Sequence, residues 1–194
     1  MSWVFGYGSL MWRPGFDHLE RHPAALQGWH RAMCRYSFRH RGTPEAPGMV
    51  AGLAPGGQCR GYAYLVDPER EAEVLAYLDE REGAGYRREV LPLEIEGGDG
   101  RFRDQGWVYV PEESHPSYAK DLPRVRTVEL IANGRGQSGT AYNYMVALVQ
   151  ALDRMGDSDP DLRALLSEVE AYKREQARGS GAIGDAARSP AAIP

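Results

Sequence analysis

The chain has 194 residues, 42% of them hydrophobic, enough for one ordinary domain with a single core. Its formal net charge of −4, from 23 Lys and Arg against 27 Asp and Glu spread along the sequence, leaves no footprint for nucleic acid or an anionic membrane. No apolar run approaches the roughly 20 residues of a membrane span, and no basic segment leads into a long apolar one, so the expectation is a cytoplasmic protein acting on a small molecule. Cys34 and Cys59 are expected to be unpaired, buried thiols in that reducing compartment.

In chain order, Ser2 to Gly6 reads as a buried strand. Gly28 to Ser37, Cys59 to Val66, Arg88 to Ile95 and Gly106 to Val110 are rich in aromatic or β-branched residues and bounded by Gly, Pro or Asp. Several strands with turn signals between them argue for a curled sheet or barrel. Asp67-Pro68 offers an N-cap and a first-turn proline to a short helix ending near Glu80, with Ala72, Leu75 and Leu78 at spacing three. Tyr142, Met145, Val146, Val149 and Leu152 keep helical spacing. After Asp159-Pro160 so do Leu162, Leu165, Leu166, Val169 and Tyr172, which predicts an αα-hairpin over one face of the sheet. Residues 1–175 form one domain on this reading. Residues 176–194 are nearly devoid of large apolar side chains and read as a C-terminal tail.

Most candidate chemistry fails on spacing. His18 and His22 would share a helix face as metal ligands, but the HExxH order is absent, and no metal is expected. Ser9 in GYGSL lacks the second glycine of a nucleophile elbow, because Met11 stands there. Neither GYGSL nor GRGQSGTAYNY (134–144) carries the lysine of a phosphate-binding loop.

A loop and a carboxylate survive. Glycines at 6 and 8 permit positive φ and close backbone approach, so consecutive N–H groups from Gly6 to Met11 can face an anion or oxyanion; the competing reading is an ordinary tight turn. Glu82, where the helix gives way to Gly83 and Gly85, can point into a cleft with its pKa raised and act as a general base. The competing reading there is a solvated acidic helix end.

Four stretches, FGYGSLMWRPGF (5–16), RHRGTPEAPG (39–48), LDEREGAGY (78–86) and GQSGTAYNY (136–144), stand in an order and spacing that resemble the ChaC-like γ-glutamylcyclotransferases across residues 2 to 172. The resemblance implies an α+β fold, a small mixed β-barrel-like sheet flanked by helices. It implies cleavage of glutathione to 5-oxoproline and cysteinylglycine without a cofactor. Glu82 would be the catalytic acid/base, and Gly6, Tyr7, Gly8, Ser9, Leu10 and Met11 would hold the γ-glutamyl group. Arg39, Arg41 and Tyr144 are further pocket candidates. The partner is then the small molecule alone, with no oligomeric state implied. Two alternatives stay open: another γ-glutamyl amine or amino acid as substrate, or a non-catalytic module that binds γ-glutamyl metabolites.

Overall fold

The computed structural model describes residues 2–186, with side chains to residue 178. Strand β1 (Ser2–Gly6) is apolar and buried from Trp3 onward because both of its faces are covered. Trp3 and Phe5 point into a closed barrel beside Leu26, Leu53, Leu93, Ile95 and Val108. Val4 packs outward with Val74 and Leu78 of helix α1 (Glu71–Glu82). The barrel is completed by β2 (Glu20–Ser37), β3 (Gly48–Val66), β4 (Tyr86–Gly97) and β5 (Gly100–Pro111), in the order β1-β3-β2-β4-β5. Neighbours run antiparallel except at the closing seam, where β1 lies parallel to β5 through Trp3 opposite Gly106 and Val4 opposite Trp107.

A helical layer covers the barrel on another side. Helices α2 (Arg124–Asn133), α3 (Ala141–Arg154) and α4 (Pro160–Ala186) bury Ile131, Met145, Leu148, Leu152, Leu165 and Val169 against Met49 and Ala51 of β3 and against Met11. Between α2 and α3 lies a small hairpin, β6 (Arg135–Gly136) and β7 (Gly139–Thr140). The expected barrel and the helical pair α3–α4 are both present. The Asp159 carboxylate accepts the Leu162 N–H at 3.0 Å and so caps α4. No helix among the described residues is long and apolar enough to cross a membrane.

Two expectations change. Helix α1 starts at Glu71 rather than after Asp67-Pro68, because the Asp67 carboxylate accepts the Glu69 N–H and closes a separate turn first. Helix α2 went unread: its N-cap is Pro123, which has no side-chain acceptor, so the usual start signal is missing. Helix α4 continues past Gln176 to Ala186, and residues 187–194 of the predicted tail lie outside the described residues.

Candidate active site

The site is built where β1 leaves the barrel. After Gly6, which still pairs with Tyr62, the chain turns through Tyr7 and Gly8 into one 3-10 turn, Ser9–Met11. The carbonyls from Tyr7 to Leu10 are taken by protein. Arg31 Nε donates to Tyr7 O at 2.8 Å, Met11 N–H to Gly8 O at 3.0 Å, Arg13 N–H to Ser9 O at 2.9 Å and the Tyr64 hydroxyl to Leu10 O at 2.7 Å. Among the described residues the N–H groups of Gly8, Ser9 and Leu10 donate to no protein acceptor. With carbonyls turned inward and half-buried amides left over at Gly8 and Ser9, the turn presents a partial positive face suited to an oxyanion or carboxylate. Of the six residues predicted to bind, Gly6 spends its backbone on the ladder, Met11 spends its amide on Gly8, and Leu10 and Met11 anchor the turn with buried side chains.

The glycines work differently from the expectation. Neither Gly6 nor Gly8 has a positive φ; Gly8 sits at −118°. Their need is space: a β-carbon on Gly6 would lie 2.8 Å from that of Leu10, and one on Gly8 would lie 3.1 Å from the Tyr144 hydroxyl. Positive φ occurs instead at Gly83 (66°) and Gly85 (88°), which let the chain leave α1 at once and enter β4.

Glu82 is the last residue of α1, immediately before that break. Its side chain keeps one fifth of its surface accessible, and burial pushes its carboxyl above the usual carboxylate range, against the opposing pull of Arg81 and then Arg35. Burial, and behind it the Glu82 charge, also raises the phenols of Tyr7, Tyr86 and Tyr144. These groups come from the β1 turn, β4 and α3, so the charge of one carboxylate able to ionise is felt by three hydroxyls that stay protonated. Tyr7 donates to Tyr109 O at 2.7 Å, which fixes it as a wall; the Tyr144 hydroxyl accepts the Ala51 N–H at 3.3 Å.

Tyr144 reaches the site because α3 begins three residues earlier, with the Thr140 hydroxyl capping the Asn143 N–H at 3.0 Å. Arg41 comes close but serves structure: it donates to the Ser138 and Thr140 carbonyls and lies 5.5 Å from the Tyr144 ring centroid. Arg39 is exposed on the adjoining loop, and no side-chain hydrogen bond ties it to the described residues. His18 and His22 share no helix: His18 stacks edge-on against Tyr64, and His22 is on β2, bonded to Glu20 at 2.8 Å. Cys34 and Cys59 are free and buried, with thiols pushed up to about 11 by desolvation.

Sequence reading missed two buried arginines of β2. Besides holding Tyr7, Arg31 lies 3.9 Å from the Asp159 carboxylate. Arg35 donates to the carbonyls of Ala84 and Gly85 and lies over the Tyr86 ring at 4.0 Å, which fixes the loop behind Glu82. Arginines buried on a barrel strand look, in sequence, like polar residues on a solvent face.

A closed mixed barrel with one helix on one side and three on another, a spare-amide turn and one desolvated carboxylate defines a γ-glutamylcyclotransferase-like α+β protein. The family model described as ChaC-like protein matches residues 2–172, and the chain belongs to that family. It is 36% identical over 169 residues to the glutathione-specific gamma-glutamylcyclotransferase of Escherichia coli (strain K12), covering 86% of this chain and 72% of that protein. To the Schizosaccharomyces pombe protein of the same name it is 28% identical, covering 90% and 94%. A crystal structure of the gamma-glutamyl cyclotransferase specific to glutathione from yeast superposes with a TM-score of 0.84 at 27% identity, over 90% of this chain and 97% of that one.

Proposed function

We propose that this protein is a glutathione-specific γ-glutamylcyclotransferase. The observation that carries the reading is the pairing of unused amides at Gly8, Ser9 and Leu10 with a desolvated Glu82, in a chain whose relatives bear that name. Cyclotransfer uses a nucleophile already in the substrate. The α-amine attacks the γ-carbonyl carbon, a C–N bond forms to close the five-membered lactam, and the C–N bond to cysteine breaks. The gain comes from holding the glutamyl arm bent, which makes the attack intramolecular.

At neutral pH the amine is an ammonium and must first lose a proton. Glu82 takes that proton and returns it to the departing cysteinyl nitrogen. The second proton, shed by the attacking nitrogen as the lactam forms, ends on the freed amine, which leaves as an ammonium, so the balance closes without another reactant. A raised pKa suits both halves of this shuttle. The free amides bind the γ-carbonyl oxygen as it gains charge, where removal of one such donor costs about 3 kcal/mol in related chemistry. The two free thiols fit a reducing, cytoplasmic setting.

The test is incubation of the purified protein with glutathione, following 5-oxoproline and cysteinylglycine. Glu82→Gln keeps the shape and cannot shuttle a proton; its turnover is expected to fall by about 10²- to 10⁴-fold with glutathione binding retained. Near-wild-type turnover in that variant would remove Glu82 from the mechanism.

A further inference from the structure

We propose that Arg81 is a positioning residue for this reaction, fastening the amide turn and the Glu82 carboxylate into one rigid unit. The inference rests on the assignment of Glu82 as acid/base. Arg81 stands in the last turn of α1 with 18% of its side chain accessible. One terminal nitrogen, Nη2, donates to Ser9 Oγ at 2.9 Å. The other, Nη1, donates to Pro14 O at 2.6 Å and to the Tyr77 hydroxyl at 3.1 Å. The remaining edge of the guanidinium, at Nε, lies 3.8 Å from Glu82 Oε1.

This contact is not a by-product of adjacency. Consecutive helical side chains diverge by about 100° and do not ordinarily face one another. They meet here because the guanidinium is a planar fork whose two ends are already committed to the 9–14 segment, which turns its third edge toward the carboxylate. The groups facing Glu82 are Arg81 from α1, Arg35 from β2, Tyr7 from the β1 turn, Tyr86 from β4 and Tyr144 from α3. Of the two cations, Arg35 spends its hydrogen bonds on the Ala84 and Gly85 carbonyls behind the carboxylate. Of the two, among the described residues, it is Arg81 that joins Glu82 to the turn that carries the free amides.

The role predicts two separable effects. Loss of the fork frees the Ser9 end of the turn and weakens the grip on substrate. Loss of the positive charge beside Glu82 makes the carboxyl harder to ionise. The experiment measures kcat and KM for 5-oxoproline formation across pH in Arg81→Met, Arg81→Lys and Glu82→Gln. In Arg81→Met, kcat/KM should fall by about ten- to a hundredfold and its acidic limb should move to higher pH. Arg81→Lys should restore the limb, because the charge returns, while KM stays raised, because an ammonium cannot reproduce the fork.

An unmoved acidic limb in a folded Arg81→Met variant would overturn the proposal, since a merely structural role lowers the amount of active enzyme and leaves the pH profile in place. Should Arg81→Met fail to fold, Arg81→Lys decides alone: wild-type KM overturns the proposal, and a raised KM with an unmoved limb supports it. An active Glu82→Gln variant overturns the underlying assignment itself, and is told apart from the other outcomes by its independence of Arg81.

Discussion

Gly8 and Tyr144, 136 positions apart in sequence, meet so closely that a β-carbon on the glycine would stand 3.1 Å from the tyrosine hydroxyl. The hydroxyl cannot readily retreat, because it also accepts the Ala51 N–H. Gly8→Ala should therefore lower kcat/KM, and Gly8→Val, with a branched side chain filling the mouth of the site, should extinguish it. Tyr144→Phe removes the obstructing oxygen and leaves the Ala51 amide unpaired, at about 1 kcal/mol of stability. In the Tyr144→Phe background Gly8→Ala should cost less than it does alone, with a coupling of about 0.5–3 kcal/mol in a double-mutant cycle on kcat/KM. Strict additivity would show that the two residues do not share one constraint.

The raised carboxyl of Glu82 makes a prediction about stability that runs opposite to activity. A carboxyl whose pKa is higher folded than unfolded binds its proton more tightly in the native state. Its contribution is therefore most favourable below the unfolded value and is lost as pH rises through the folded one. Glu82→Gln resembles the protonated form at every pH. Thermal unfolding should show the variant more stable than the parent at pH 7 and above, with the gap closing as both are taken below pH 4.5. A gap independent of pH would mean that burial does not penalise this charge.

Gly85 and Gly83 should not tolerate alanine equally. Both have positive φ, which costs a side chain about 1–3 kcal/mol in such sparsely populated regions. At Gly83 a β-carbon meets nothing nearer than 3.9 Å. At Gly85 it would lie 2.6 Å from His115 Nδ1 and 2.7 Å from Arg35 Nη1. Urea denaturation should find Gly85→Ala the more damaging of the two, and its residual activity the lower, because Arg35 would be pushed off the loop behind Glu82.

Substrate range supplies a fourth test. If contacts to the cysteinylglycine portion help orient the reacting centre, kcat/KM for reduced glutathione should exceed that for γ-glutamyl-alanine. Equal values would assign the protein to a broader γ-glutamyl class and leave the chemistry in place.

Much of the barrel was legible because β1 and the cores of β4 and β5 are largely apolar and β-branched, and the ordered motifs pointed to Glu82, which the structure shows to be desolvated. Strands β2 and β3 were read at about half their length. Each bends around the barrel through residues such as Pro23, Gly28, Pro55 and Gly56 that signal breaks in isolation, and their pairing shifts register between Gln27 and Trp29. The amide turn was found for an incomplete reason. Its glycines answer to Leu10 and to Tyr144, and a neighbour far along the chain leaves no local mark. Arg31 and Arg35 were hidden for the same cause, since only closure of the barrel turns their strand face inward.

The parallel seam between β1 and β5 also sets when this site can come into being. Tyr7 finds its hydrogen-bond acceptor, Tyr109 O, 102 residues further on, and the seam itself needs Gly106 and Trp107. Contacts of such separation form late and slowly, on the order of milliseconds to seconds for barrel-like domains. A chain emerging from the ribosome can thus hold its Tyr-Gly-Ser-Leu turn through Arg31 and Tyr64 early, but it fixes Tyr7 against Tyr109 only after more than half of the molecule has been made. The last wall of the candidate site therefore arrives with closure of the barrel rather than before it.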